Sequence, residues 1–206
     1  MNVYVIGAGG HGEVVLDVLR AAGEHSVVGF LDSDPATHGK TVDGVTVVGA
    51  PDDADRPAIV AIGDNVARKE CTERLAARGL PLITAIHPTA NVSATASVGP
   101  GSVVCAGAII CAHARVGAGA IINTGAIVEH HNEIGDYVHI APGVVLAGRV
   151  TIREGAMVGL GAKVIQRLTV GPWATVGAGA VVLDNVPDHA TVVGVPARVI
   201  GRRAPG

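Results

Sequence analysis

The sequence predicts a small α/β domain followed by a solenoid of short, stacked strands. Aliphatic residues recur at every sixth position from Val92 to Val182, sixteen times in succession without an insertion. The chain has 206 residues, of which 49% are hydrophobic but only 2% are aromatic, and it contains 29 glycines. A core made almost entirely of aliphatic side chains, with many glycines at tight corners, indicates many copies of one thin layer.

The repeat also predicts how each layer is built. The fourth residue after each aliphatic is usually small, as at Ala96, Ser102, Ala108, Ala114, Ala120, Ala126, Ala156, Ala162, Ala174 and Ala180. The small residue and the next aliphatic are two positions apart, so both point to one side of a strand. Glycine is common in the remaining step, which must contain a corner. Each buried aliphatic contributes roughly 1.5–3 kcal/mol, so the stacked layers can form a core without aromatic residues.

The first part of the chain reads as alternating strands and helices. We expect strands at 2–7, 26–32, 58–63 and 82–86, and helices from about 13 to 22 and from about 65 to 78. Asp64 or Asn65 can cap the second helix. The last strand would directly precede the solenoid. The expected domains are therefore 1–86 and 87–206.

A glycine-rich turn follows the first strand. Gly7, Gly9 and Gly12 match the dinucleotide fingerprint, and Asp32 lies about twenty residues further on. Backbone N–H groups at such a helix N-terminus favour an anionic phosphate. The pattern alone would suit an NAD-dependent oxidoreductase, but the domain has room for only one mononucleotide half. A nucleoside diphosphate fits better, and the alternative without a ligand is a turn that needs glycine for packing.

Charge, hydropathy and cysteine content argue against several classes of protein and of binding site. The net charge is −3 and no long Lys/Arg run is present, which argues against nucleic acid as the main partner. No apolar stretch reaches the roughly 18 residues of a membrane span, and the start does not resemble a signal peptide. The three cysteines lack a CxxC spacing, so we expect a cytoplasmic protein without a disulfide framework or a zinc ribbon.

Polar residues interrupt the solenoid at one hexad, which reads Val128-Glu-His-His-Asn-Glu. Histidine suits the transfer of an acyl group to an amine, because its imidazole takes up a proton near neutral pH. His139 lies nine residues beyond His130, half of an eighteen-residue coil. The two histidines should therefore lie on different faces of one molecule and meet only across a subunit boundary or along a shared groove. His113 should stack on His131, eighteen residues later.

The whole chain resembles one bacterial family of sugar acyltransferases. The shared motifs are GAGGHG, FLD, AIGD with Arg68-Lys69, the uninterrupted hexapeptide repeat and the terminal GVPAR. The family contains the UDP-4-amino-sugar N-acetyltransferases, perosamine N-acetyltransferases and sialic acid O-acetyltransferase-like proteins. The resemblance implies a truncated Rossmann-like domain, a left-handed parallel β-helix and a homotrimer with sites between neighbouring prisms. It implies that the nucleotide-sugar binds at Gly9, Gly10, His11, Asp32, Ser33 and Gly63.

The resemblance also implies the reaction, which is direct acetyl transfer from acetyl-CoA to an amino group of the nucleotide-linked sugar, without a metal. His130 would be the general base and Glu129 its partner. The acetyl-CoA contacts would be His139, Gly148, Leu160, Ala178, Gly179 and Arg198. His139 would contact the acetyl group or the substrate, the Gly148 N–H would stabilise the oxyanion, and Arg198 would contact phosphates or cap the prism. O-acetylation of a sugar hydroxyl remains the alternative. A non-enzymatic partner or a zinc site of the β-helix carbonic anhydrase type is disfavoured.

One residue departs from the family pattern. Family members commonly have an acidic residue directly after the catalytic histidine, whereas this chain has His131. A second imidazole does not supply the negative charge that raises the basicity of the first. Glu129 or Glu133 could compensate, and the sequence leaves that choice open.

Overall fold

The α/β domain opens the chain in the computed structural model, which describes residues 1–202. Its elements are β1 (Asn2–Ile6), α1 (Gly10–Ala22), β2 (Ser26–Leu31), β3 (Thr41–Val42), β4 (Val45–Gly49), β5 (Ala58–Val60) and α2 (Asn65–Ala77), with single 3-10 turns at Pro35–Thr37 and Pro51–Asp53. The sheet order is β3-β4-β2-β1-β5. All pairings are parallel except the β3–β4 hairpin, which the sequence did not predict.

Both helices begin where the sequence places a suitable cap. Asp64 caps α2, and its carboxylate accepts the Ala67 N–H at 2.9 Å. Gly9 is the cap of α1, which begins at Gly10, three residues earlier than expected. The buried side of α1 carries Val15, Leu16, Val18 and Leu19. These side chains join the sheet in one core that also includes Ala85 and Val103 of the solenoid.

The rest of the chain is a parallel β-helix of two-residue strands. They are β6 (Ala85–Ile86), β7 (Asn91–Val92), β8 (Ser97–Val98), β9 (Val103–Val104), β10 (Ile109–Ile110), β11 (Arg115–Val116), β12 (Ile121–Ile122), β13 (Ile127–Val128), β14 (Glu133–Ile134), β15 (His139–Ile140), β16 (Val145–Leu146), β17 (Thr151–Ile152), β18 (Met157–Val158), β19 (Lys163–Val164), β20 (Thr169–Val170), β21 (Thr175–Val176) and β22 (Val181–Val182). Every predicted aliphatic is the second residue of a strand, and most are buried. The longer strands β23 (Ala190–Val193) and β24 (Arg198–Arg202) close the coil.

The strands form three faces of a prism with eighteen residues per coil, since Ile109 pairs with Ile127 and Ile127 pairs with Val145. The covered face contains β6, β9, β12, β15, β18, β21, β23 and β24 and carries the α/β domain. The apolar face contains β7, β10, β13, β16, β19 and β22. The polar face contains β8, β11, β14, β17 and β20.

The segment expected as a strand over 82–86 divides between the two sheets. Leu82 forms an isolated parallel bridge with Ala58 of the α/β sheet. Ala85 and Ile86 instead pair with Val103 and Val104, so they are the first strand of the covered face. The expectation of one last strand before the coil was therefore wrong, because Ile86 already occupies the position six residues before Val92 in the repeat. Among the described residues, no helix has the length and apolarity that crossing a membrane requires.

Candidate active site

The glycine-rich turn gives α1 an open N-terminus. A Cβ at Gly12 would collide with the carbonyl oxygen of Gly7, whereas Gly9 and Gly10 face open space. The Asp32 carboxylate accepts the Ala8 N–H at 2.7 Å and the Asp34 N–H at 2.9 Å, and so holds the end of β2 against the turn. The turn therefore presents backbone N–H groups that suit an anionic group.

The residues predicted to bind the sugar nucleotide lie around this turn. Gly9, Gly10 and His11 come from the start of α1, and Asp32 and the exposed Ser33 follow β2. Gly63 follows β5, which is the other neighbour of β1. The structure thus brings all six to the carboxyl edge of the α/β sheet, where open parallel sheets bind ligands.

His11 and His139 face each other between the two domains. Their ring centroids are 6.3 Å apart, and the Nε2 atom of His139 accepts the Asn123 amide N–H at 3.1 Å. Burial and then the positive charge of Arg68 lower the pKa of His11 to about 4. Burial, Arg68 and His11 lower the pKa of His139 to about 4 as well. Both imidazoles are therefore neutral at physiological pH.

Arg68 of α2 holds the two domains together. Its guanidinium is buried and donates to the carbonyl oxygens of Gly119 and Tyr137 on successive coils, at 2.8 Å each. It also donates to the carbonyl oxygens of Ile62 and Gly63 at 2.9 and 3.2 Å, and to the Asn65 side chain at 2.8 Å. All five N–H groups of the guanidinium are used, so the loop that carries Gly63 is fixed against the β-helix.

Asn65 and Lys69 extend this contact. The Asn65 side chain donates to the carbonyl oxygen of Gly155 at 3.0 Å, one coil beyond Tyr137. Lys69 forms a 2.6 Å ion pair with Glu154 and lies over the rings of Tyr137 and Trp173. Trp173 therefore borders α2. A cleft of about 780 Å³ opens here between the start of α2 and the covered face, next to Gly63.

His130 lies at a different place, the corner between the apolar and polar faces. Its ring rests on Gly148, one coil further along, where a Cβ would come within 2.5 Å of the Nε2 atom. The Nδ1 atom lies 3.1 Å from Nδ1 of His131. The predicted stacking of His131 on His113 is confirmed, with ring centroids 4.9 Å apart. The exposed His130 ring therefore has one nitrogen paired with His131 and the other directed along the corner over Gly148.

Glu129 contacts the backbone rather than the imidazole. Its carboxylate accepts the N–H of His130 at 3.0 Å. Glu133 is 3.9 Å from Arg115 on the polar face. In the free chain the acidic group nearest in sequence therefore fixes the turn that carries His130, and the imidazole itself faces His131.

The predicted acetyl-CoA contacts are spread over two corners, the covered face, which carries His139, and the end of the coil, which carries Arg198. Gly148 is under His130, whereas Leu160 and Gly179 stack at the corner between the covered and apolar faces, where the Gly179 N–H donates to the Leu160 carbonyl at 2.7 Å. Ala178 adjoins Gly179 there. Arg198 is exposed in β24, and its guanidinium donates to the Ala197 carbonyl at 2.8 Å. One chain therefore brings only Gly148 of this set next to His130.

Three comparisons with known proteins identify the family. Residues 2–75 match the PglD N-terminal domain. The structure superposes on PerB from Caulobacter crescentus in complex with CoA and GDP-perosamine with a TM-score of 0.91, at 42% identity over 98% of both chains. It superposes on the acetyltransferase domain of PglB from Neisseria gonorrhoeae FA1090 with a TM-score of 0.90, at 40% identity over 97% of this chain and 99% of that one.

The chain belongs to this acetyltransferase family. It is also 42% identical over 113 residues to the UDP-N-acetylbacillosamine N-acetyltransferase of Bacillus subtilis strain 168, and that alignment spans about half of each protein, 51% in both cases. Membership confirms the predicted fold of a Rossmann-like domain followed by a β-helix. PerB was solved in complex with CoA, and the acetyltransferase domain of PglB in complex with acetyl coenzyme A. Within residues 1–202, no cluster of three or more His, Cys, Asp or Glu side chains could hold a metal ion.

Two residues that shape the site, Arg68 and Asn123, were not among the predicted site residues. Arg68 was noted only as part of a motif, and its neighbours Lys69 and Glu70 in a polar helix give no sign that its side chain is buried. Asn123 gave no signal, because its contact with His139, sixteen residues later, depends on the stacking of successive coils.

Proposed function

We propose that the chain transfers an acetyl group from acetyl-CoA to an amino group of a nucleotide-linked amino sugar. The observation that carries this proposal is the His130 imidazole, whose Nε2 atom has no hydrogen-bond partner within residues 1–202 and is directed along an exposed corner over Gly148. The relatives support the substrate class, because their names specify GDP-perosamine and UDP-N-acetylbacillosamine. These names favour acetylation of an amine over acetylation of a sugar hydroxyl, and they favour acetyl transfer over a reaction that depends on a nicotinamide cofactor.

The chemistry needs one base and one oxyanion donor. The sugar amine attacks the thioester carbonyl, and His130 Nε2 takes the proton that the nitrogen loses. The Gly148 N–H, which donates to no acceptor in the described part of the chain, is placed to stabilise the negative charge on the tetrahedral oxygen. Collapse of this intermediate expels the thiolate of coenzyme A, which takes the proton from His130. No acyl-enzyme forms.

The nucleotide part of the substrate binds at the glycine-rich turn in this proposal. The diphosphate lies against the N–H groups of Gly9, Gly10 and His11, and the nucleoside lies by Asp32 and Ser33. Gly63 forms the opposite wall. The neutral His139 and Asn123 then face the sugar on the covered face, which places the acceptor amine beyond the rim of the α/β domain.

A trimer completes the site. In a triangular prism the corner that carries His130 is opposite the covered face that carries His139, so one chain does not bring these groups together. The apolar face exposes a ladder of Ile109, Ile127 and Val145, only half-buried in the single chain. The polar face carries Arg115 and Glu133 at the matching positions. A neighbouring prism packed on the apolar face would bury that ladder and bring its own covered face to the His130 corner.

The acyl donor would lie in the groove between two such prisms. Gly148 from one chain and Leu160, Ala178 and Gly179 from the other line this groove, which explains why these residues occupy two corners in each chain. Arg198 near the end of the coil is available for the phosphates of the donor. Both substrates are cytoplasmic metabolites, so we place the reaction in the cytoplasm.

The function is tested by incubating the protein with acetyl-CoA and a panel of GDP-, UDP- and dTDP-linked 4-amino sugars. Mass spectrometry should show the gain of one acetyl group on one of them, and the product should resist mild base, as an amide does and an ester does not. His130→Ala should abolish most turnover while the affinity for coenzyme A changes little. His25→Ala, directly before β2 at the opposite edge of the α/β sheet from the glycine-rich turn, is the matched control. Acetylation of no amino sugar, or unchanged turnover by His130→Ala, would reject the proposal.

A further inference from the structure

His131 is the most unusual residue at the His130 corner, and its ring is held firmly in place. Its backbone adopts a left-handed conformation with φ of 60°, and its N–H donates to the Ala112 carbonyl at 3.0 Å. The His113 ring stacks against one side, and the His130 ring meets it edge-on at a centroid distance of 5.4 Å. The 3.1 Å contact between the two Nδ1 atoms is therefore built into the turn.

Only one proton can occupy this contact. If His131 donated it, a neutral His130 would carry its own proton on Nε2 and could not accept another from a substrate. If His130 donates it, the Nε2 lone pair of His130 is free and faces the groove over Gly148. When Nε2 later takes up a proton, the resulting imidazolium still donates through Nδ1, and that hydrogen bond becomes stronger because the donor is charged.

We infer that His131 is a positioning residue that accepts the Nδ1–H of His130 and so selects the tautomer in which His130 acts as a base. This inference rests on the proposed function for its catalytic meaning. It assigns to a neutral imidazole the orienting role for which acyltransferases and hydrolases commonly use a carboxylate. Glu129 does not take this role, because its carboxylate is bonded to the His130 backbone N–H.

The charges around His131 favour its neutral, accepting form. His113 and Arg149 lie in the same column of the corner, one coil before and one coil after it, and His130 is the third basic neighbour. The pKa of His131 is lowered, mainly by partial loss of hydration and then by electrostatic repulsion from Arg149, His113 and His130. Glu129, bonded to the neighbouring backbone, is the acidic group on this turn. A neutral acceptor stabilises the imidazolium of His130 less than a carboxylate would.

The test uses substitutions chosen for the left-handed backbone at this position. Glycine and aspartate both tolerate a φ of 60°, so His131→Gly removes the acceptor and His131→Asp replaces it with a carboxylate, with little backbone strain. We expect His131→Gly to lower kcat by about 10- to 100-fold with little change in KM, the effect of losing one hydrogen bond to a charged group. His131→Asp should recover most of the activity and shift the acid limb of the kcat/KM profile upward by about one pH unit.

His113→Gly is the matched control, since His113 has the same φ of 60° and contacts His131. We expect its kcat to stay within about threefold of the wild-type value, because the direct partner of His130 remains. Thermal melts of all three variants show whether the fold is intact. An unchanged kcat in a folded His131→Gly, or an acid limb that does not move in His131→Asp, would overturn the inference.

A second measurement does not depend on the substrate. Long-range proton–nitrogen NMR spectra of ¹⁵N-histidine-labelled protein, with the His130 signals assigned from His130→Gln, report which ring nitrogen carries the proton. The inference predicts a proton on Nδ1 of His130 and on Nε2 of His131 near neutral pH; the opposite pattern would refute it. If the wild-type protein acetylates no amino sugar, the proposed function fails, and these spectra still decide the tautomer.

Discussion

Acid should loosen the junction between the two domains through the His11–His139 pair. Both imidazoles have a pKa of about 4 in the folded chain, compared with 6.5 for an unperturbed histidine. Between these values the unfolded chain binds more protons than the folded one, so the free energy of unfolding falls as the pH falls below about 6.5. A shift of this size is equivalent to about 3 kcal/mol for each ring once the pH is below about 4. The rings are 6.3 Å apart and share Arg68 as a neighbour, so the two contributions are coupled.

Guanidinium chloride unfolding at fixed protein concentration, at several pH values between about 7 and 4, measures this loss. The double variant His11→Gln/His139→Gln removes both titrating groups. It should lose less stability over this range than the wild-type protein, by about 3–6 kcal/mol. His38→Gln, at an exposed site, should follow the wild-type curve. If the double variant and the wild-type protein lose stability in parallel, the argument that burial keeps these two rings neutral is refuted.

Three further predictions follow from single contacts. Gly148→Ala places a methyl group against the His130 ring and should lower kcat by about 10- to 100-fold without unfolding the chain; unchanged kcat would contradict the placement of the ring. Arg68→Met leaves several buried carbonyl groups without a hydrogen-bond donor and should lower the free energy of unfolding by about 3 kcal/mol in denaturant. Arg74→Met loses only an exposed ion pair on the same helix and should lower it by less than about 1 kcal/mol. Ile127→Glu puts a charge on the apolar face and should convert the proposed trimer to monomers in light scattering; a wild-type protein that is already monomeric would contradict the proposed assembly.

The repeat made most of the fold predictable from sequence. Each aliphatic of the six-residue series is the second residue of a strand, because the period of the repeat equals one side of the prism. The first residue of each strand points outward, so the apolar and polar faces could also have been read from Ile127 and Glu133. His130 was found because its hexad is polar where its neighbours are apolar.

The features that the sequence did not predict depend on contacts between distant segments of the chain. The role of Arg68 requires the α/β domain to sit on the covered face, where carbonyls from Gly119 and Tyr137 converge on one guanidinium. The strand Ala85–Ile86 was assigned to the wrong sheet, because two residues do not reveal their partner. The contact of Glu129 with the backbone instead of the imidazole follows from the turn geometry, which residue spacing does not specify.

The proposed active site is shared between two chains, and subunit complementation tests this directly. His130→Ala removes the base, whereas Gly10→Asp sets a carboxylate in open space at the start of α1, where it repels a diphosphate but suits the helix dipole. Each variant alone should be inactive. Random co-assembly in equal amounts should restore about one quarter of the wild-type activity, because that fraction of sites combines an intact His130 from one chain with an intact turn from its neighbour. A mixture that stays inactive although mixed trimers form would show that each chain uses its own His130, which contradicts the account.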